Sequence, residues 1–112
     1  MLIKKIDSIS HSRDGVDANY FQLPSAFGGS TVARAKFSGE HGERTLKDDA
    51  TRAYYIISGS AKFKLNENEF VAEEGDLFVI EPKSTYNLWP VGESVDVLLI
   101  SEPLDLSGLP KK

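Results

Sequence analysis

Between Ser60 and Asn66 the apolar side chains Ala61, Phe63 and Leu65 alternate with Lys62 and Lys64. A period of two belongs to a β-strand with one face in a core and the other in water. Asn66, Glu67 and Asn68 follow, and Asn tolerates positive φ better than most residues, so a tight hairpin onto residues 69–73 is predicted. Comparable short stretches rich in β-branched and aromatic residues recur at 18–23, 31–37, 51–58, 76–80, 86–91 and 95–101. Gly, Asn, Asp, Ser and Pro punctuate them, which is the pattern of an all-β sandwich or barrel. No segment has a convincing helical period. Residues 8–17 and the tail 102–112 read as loosely structured.

Residues 51–58 and 95–101 are nearly continuous in apolar side chains, which predicts burial on both faces. One face fills the barrel. In a chain of 112 residues the other face needs a cover, and a second copy of the same sheet supplies it. A homodimer is therefore expected, with Tyr55, Ile57 or Leu98 in its interface.

The length suits one domain and is short for two. We expect a single domain over 1–112, with an N-terminal arm to residue 29, a barrel core at about 30–101 and the tail behind it. A net charge of -4 offers no overall basic field for a phosphate backbone, so a nucleic-acid partner is not expected. The absence of cysteine excludes disulfides, thiolate metal sites and a cysteine nucleophile. Lys4 and Lys5 are not followed by an apolar stretch of signal-peptide length, and Val97-Leu98-Leu99-Ile100, the longest strongly apolar run, is far short of a membrane span. A cytoplasmic location without a membrane partner is the expectation.

Two stretches carry a family resemblance. Arg52-Ala53-Tyr54-Tyr55-Ile56-Ile57-Ser58-Gly59 resembles the first conserved strand of the cupins, and Gly75-Asp76-Leu77-Phe78-Val79-Ile80-Glu81-Pro82 resembles their second strand and turn. The resemblance spans roughly half the chain and implies a double-stranded β-helix, the jelly-roll barrel. Aligned without gaps, the first cupin motif runs through Gly39, Thr45, Lys47, Arg52 and Gly59, and the second through Gly75, Glu81, Lys83, Tyr86 and Pro90. A shorter spacing puts Leu46 and Asp48 at the histidine positions instead, but loses the first glycine. In either frame the family's metal-binding histidines and glutamate are replaced. Lys and Arg offer no lone pair to a metal, so no metal cofactor is expected. The two histidines of the chain, His11 and His41, stand outside these positions. A site from His41 with Asp48 and Asp49 is a minor alternative to a solvated loop tip or a pairing with Arg44.

By strand parity Arg52, Tyr54 and Ile56 share the inner face, and Ala53, Tyr55 and Ile57 the outer one. Thr45, Lys47 and Tyr86 occupy the other former ligand positions, and Arg34 or Lys36 joins them if the polar face of 31–37 points inward. Guanidinium, ammonium and phenol donors in an apolar cup suit a carboxylate or phosphate. The candidate ligand-binding residues are thus Arg34, Thr45, Lys47, Arg52, Tyr54 and Tyr86, with no catalytic residue assigned. The plain structural alternative is that Arg52 pairs with Glu81 or Asp49, Lys47 is solvated and Tyr86 is packing. Trp89 lies on the face opposite Tyr86 and reads as packing. Ser58 and Ser60 have no histidine near them in sequence to make a nucleophile.

Three functions follow from this. The first is a metal-independent binding protein for a small anionic or sugar-like ligand. The second is an enzyme like the metal-free isomerases and epimerases of the superfamily, with Lys47 or Tyr86 as its base. The third is a structural dimer whose barrel is filled by Tyr54, Phe63 and Phe78.

Overall fold

The computed structural model describes residues 1–24 and 27–102. The tail expected at 102–112 lies outside the described residues apart from Glu102. Among the described residues there are eight strands: β1 Ile9–Arg13, β2 Val16–Gln22, β3 Thr31–Phe37, β4 Arg44–Thr45, β5 Arg52–Leu65, β6 Asn68–Glu73, β7 Leu77–Ile80 and β8 Thr85–Ser101. The helical content among the described residues is a 3-10 turn at Lys5–Asp7. All pairings are antiparallel, and the all-β expectation holds.

The architecture turns on β5 and β8, which are longer than the segments expected from their sequence. The first half of β5 pairs β7 on one side and the second half of β8 on the other, with Tyr54 opposite both Phe78 and Leu99. Its second half pairs β6 and the first half of β8, with Phe63 opposite both Phe70 and Leu88. The same two strands thus pass through both layers of a jelly roll. β3, β2 and β1 extend one layer beyond β8, and β4 borders the other.

Gly59, which separates the stretches expected as two strands, sits inside β5, where the register with β8 slips between Ile56 and Ser60. Its φ is 84°, and a Cβ there would stand 2.9 Å from the Ser94 carbonyl oxygen. Only glycine accommodates that close approach, so the strand bends between layers here rather than ending. The hairpin at Asn66 is as expected: Leu65 pairs Asn68 and Asn66 has φ 53°.

Residues 8–17, expected to be loose, form β1 and the start of β2. Period two places Ile9, His11 and Arg13 together, but only Ile9 is apolar, so no strand signal stands out. The inward positions of β2 and β3 are small, with Ala18, Ala33 and Ala35 buried, whereas β5 and β8 contribute Tyr54, Ile56, Phe63, Tyr86, Leu88 and Val97. Small side chains facing large ones leave space, and that space is the cavity described below. On the outer face the expected double burial is not reached within one chain: Tyr55 is 42% exposed and Ile100 45%.

Candidate functional site

A cavity of about 760 Å³ opens between the N-terminal hairpin, the β3–β4 loop and the ends of β5 and β8. Arg52 opens β5 and Tyr54 follows on the same face, while Tyr86 reaches in from the start of β8. The Arg52 Nη1 donates to the Tyr86 Oη at 2.8 Å, and the Tyr86 and Tyr54 hydroxyls lie 2.7 Å apart. Both phenols are buried. The side chain of Arg52 is 10% exposed. Phe63 backs Tyr54 and stacks on Phe78 at 4.2 Å between ring centres, closing the barrel at that end. The residues expected to fill a structural barrel therefore fill one end and leave the Arg52 end open.

Sequence reasoning placed Arg52, Tyr54 and Tyr86 together, and the structure joins them in one hydrogen-bonded chain. Thr45 and Lys47 line the mouth of the same cavity, and the Thr45 hydroxyl meets that of Thr85 at 2.7 Å. Arg34 is a correction. Thr31, Ala33, Ala35 and Phe37 are the buried positions of β3, so parity turns Arg34 and Lys36 outward to a shallow groove with Asp17 and Asp96. Arg52 pairs neither Glu81 nor Asp49; its Nη2 donates to the Glu102 Oε1 at 3.0 Å.

His41 is a loop residue, and the β3–β4 loop that carries it lays its ring on Tyr86, 5.3 Å between centres with an interplanar angle of 29°. Three contacts hold it there. The His41 amide donates to the Leu88 carbonyl at 2.8 Å, the Gly42 amide donates to the Asn87 Oδ1 at 2.9 Å, and the Arg13 Nη2 donates to the His41 carbonyl at 2.6 Å. The His41 Nδ1 lies 2.7 Å from the Gly42 carbonyl, which can only accept, so Nδ1 carries the proton and Nε2 keeps its lone pair. Burial pushes His41 down to about 4, with Arg52, Arg13 and Arg44 adding to the shift and the Gly42 contact opposing it. At neutral pH the ring is an uncharged proton acceptor.

His11, Arg13, Tyr20 and Arg44 complete the lining on the side of the N-terminal hairpin and the β3–β4 loop. Burial raises the Tyr20 and Tyr54 phenols, so both remain protonated donors at neutral pH. Burial also pushes Glu102 up, but the hydrogen bond and charge of Arg52 outweigh it and leave the carboxyl below its usual range. Among the described residues no cluster of three or more His, Asp or Glu side chains could hold a metal ion. The donors at the former ligand positions do not fit one: Lys47 and Arg52 have no free lone pair, and the Thr45 and Tyr86 hydroxyls are already engaged with Thr85, Arg52 and Tyr54. No helix among the described residues is long and apolar enough to cross a membrane.

The sequence pattern of the AraC-like ligand binding domain family matches residues 27–101. No curated protein matches the sequence. Among solved structures the fold is similar to KdgF from Halomonas sp., at 14% identity over 86% of each chain and a TM-score of 0.72. It is similar to a nucleoside dehydratase, at 21% identity over 92% of this chain and 82% of that one, TM-score 0.77. Three Streptomyces structures of that protein contain uridine, each with one substitution, of a histidine by glutamine or of one of two tyrosines by phenylalanine. A predicted oxalate decarboxylase from Thermotoga maritima matches at 16% identity over 93% of this chain and all of that one, TM-score 0.72. The fold is that of the cupin superfamily.

Proposed function

Because the chain belongs to the AraC-like ligand binding domain family, we propose that its cup binds a small sugar-like molecule bearing an anionic group, without a metal. The observation that carries this reading is the Arg52–Tyr86–Tyr54 chain in the wall of the cavity. A guanidinium fixed by a buried phenol is a pre-oriented anion donor, and its attraction is strengthened by low solvent access. Arg13, Arg44 and Lys47 set further positive charge around the mouth, and Thr45 adds a neutral donor. Arg34 has no part in this site.

The test is thermal unfolding with gluconate, phosphate, uridine and glucose. Anions raise the melting temperature of the wild type, as any ligand of the native state alone must, and Arg52→Ala removes the response. With a charge-assisted hydrogen bond at stake, affinity falls about tenfold or more. Stabilisation by glucose but not by anions, or equal anion binding by Arg52→Ala, sinks the proposal.

The arrangement of His41 favours a second reading, a metal-free enzyme acting by proton transfer. A neutral imidazole with its Nε2 lone pair unprotonated is stacked on Tyr86 at the cavity wall, and proton abstraction next to a carbonyl or loss of water requires such a base. The substituted histidine and one substituted tyrosine of the nucleoside dehydratase are separated along its chain by the same interval as His41 and Tyr54. Its two tyrosines are two positions further apart than Tyr54 and Tyr86. His41 thereby replaces Lys47 and Tyr86 as the preferred base. Deuterium exchange into a bound hydroxyketone, followed by NMR, tests it: wild type exchanges the proton and His41→Gln does not.

The outer face supports a two-fold dimer. Tyr55 pairs Leu77 and Leu98, and the next row joins Val79, Ala53, Ile100 and Val32 across four strands. This apolar surface has the make-up of an obligate interface, which buries about 1,000 Å² or more per partner.

A further inference from the structure

The pairing of Arg52 with Glu102 is half made. The Glu102 Oε1 accepts a hydrogen bond from Nη2, but the Glu102 Oε2 and the Arg52 Nε are both buried without a hydrogen-bond partner among the described residues. A guanidinium edge and a carboxylate can form two parallel bonds, and here one of the two is missing on both sides. Each orphaned atom forfeits hydration that a full pairing would replace. Glu102 is the residue after Ser101, which pairs Arg52 at the last register position of β8, so its carboxylate reaches the cavity from the strand end rather than from within the sheet.

We infer that the Arg52 edge is a carboxylate seat, held in the free protein by Glu102 and taken over by the carboxylate of a hydroxylated organic acid. The inference rests on the reading of the cup as an anion-binding site and names the anion. A planar two-oxygen group matches the Nε and Nη2 protons together, whereas Nη1 is already committed to Tyr86. The incoming carboxylate satisfies the orphaned Nε, and Glu102 swings to the solvent at the cavity mouth, where both its oxygens are hydrated. The hydroxylated body of the acid then lies over Tyr54, Tyr86 and His41. Glu102 is a competitor for the seat, so its removal strengthens binding, where removal of a residue that contacts the ligand would weaken it.

The experiment measures gluconate, inorganic phosphate and glucose binding by calorimetry on wild type, Glu102→Gln, Glu102→Ala and Arg52→Ala. Both Glu102 variants bind gluconate about tenfold more tightly than wild type, since one charge-assisted contact no longer has to be broken. Glucose binding is unchanged, and phosphate gains less than gluconate. An equal gain for phosphate overturns the carboxylate assignment. Gluconate binding that is lost in Arg52→Ala yet not improved in the Glu102 variants overturns the competition and leaves the anion site standing. Gluconate binding indifferent to Arg52→Ala removes the site itself. Should the Glu102 variants fail to fold, the Nε–H resonance of Arg52 in wild type decides: gluconate shifts it and glucose does not, and an unmoved resonance in the gluconate complex overturns the seat.

Discussion

His41 makes the fold sensitive to mild acid. Its ring is held neutral by burial against Tyr86 and Phe37 and by the positive charge of Arg52, Arg13 and Arg44, so its folded value falls from 6.5 to about 4. The unfolded chain has no such constraint and takes up a proton as pH drops below 6.5. Between pH 6.5 and about 4 the unfolded state binds more protons, and stability therefore decreases as pH falls through that window. A difference of this size corresponds to a ceiling of roughly 3 kcal/mol. Linkage places about 2 kcal/mol of the loss between pH 7 and pH 5, above the range in which most carboxylates titrate.

Urea unfolding at pH 7 and pH 5 measures it, with His41→Gln as the reference. Glutamine keeps an amide donor in reach of the Gly42 carbonyl but cannot take a proton. Wild type loses about 2 kcal/mol more than His41→Gln between the two pH values. Equal losses in the two proteins would show that His41 is solvated or already charged, and the neutral acceptor assigned to the cavity would go with it. An anionic ligand beside the ring favours the imidazolium. The same measurement with gluconate present therefore gives a smaller loss.

Other outcomes follow from single features. Elemental analysis of protein dialysed against a weak chelator finds less than one transition metal per chain; one retained metal contradicts the reading of Thr45, Lys47, Arg52 and Tyr86. Tyr54→Phe deprives the buried Tyr86 hydroxyl of a partner and lowers unfolding free energy by about 1–2 kcal/mol in urea titration, with the far-UV spectrum unchanged. Gly59→Ala combines positive φ with a clash on the Ser94 carbonyl, so it loses more than Gly75→Ala, where φ is 89° but nothing stands within 4 Å. The Gly75 variant loses about 1–2 kcal/mol, and equal losses would deny the close approach at Gly59. If the proposed dimer forms through the outer apolar face, wild type sediments as a dimer at micromolar concentration and Tyr55→Glu, which puts a charge in that face, sediments as a monomer.

What could be read from sequence was whatever strand parity governs. Tyr54 and Ile56 inside with Tyr55 outside, Lys62 and Lys64 facing away from Phe63, and the turn at Asn66 all follow from a period of two and one φ preference. Parity also explains the error at Arg34, since two of the four inward residues of β3 are alanines, and alanine marks neither face strongly. The histidines escaped for different reasons. His41 is aimed by a loop whose shape depends on Asn87, far away in sequence, which binds both the Gly42 amide and the Glu40 carboxylate. His11 stands in a strand with little apolar character that borders the cavity, so the polar make-up that suits it to the site also hides it. Glu102 fell in a segment read as tail.

The chemistry of the cavity wall argues against a barrel that merely holds two copies together. A structural core gains most from apolar side chains at native packing density, and a buried polar group is tolerated there when every hydrogen bond it can make is made. At the Phe63 end this chain follows that rule, with Phe63, Phe78 and Leu88 closing the barrel. At the other end it buries a guanidinium, two phenols and an imidazole around open space, and leaves the Arg52 Nε and the Glu102 Oε2 unsatisfied. Replacing a buried ionic cluster by apolar residues of similar volume is commonly neutral or stabilising. Stability therefore does not account for the Arg52 end, and a ligand that completes its hydrogen bonds does. Arg52→Met with Tyr86→Phe separates the two accounts: a structural barrel keeps or gains unfolding free energy and shows no other change, whereas a binding site keeps its stability and loses its anion response.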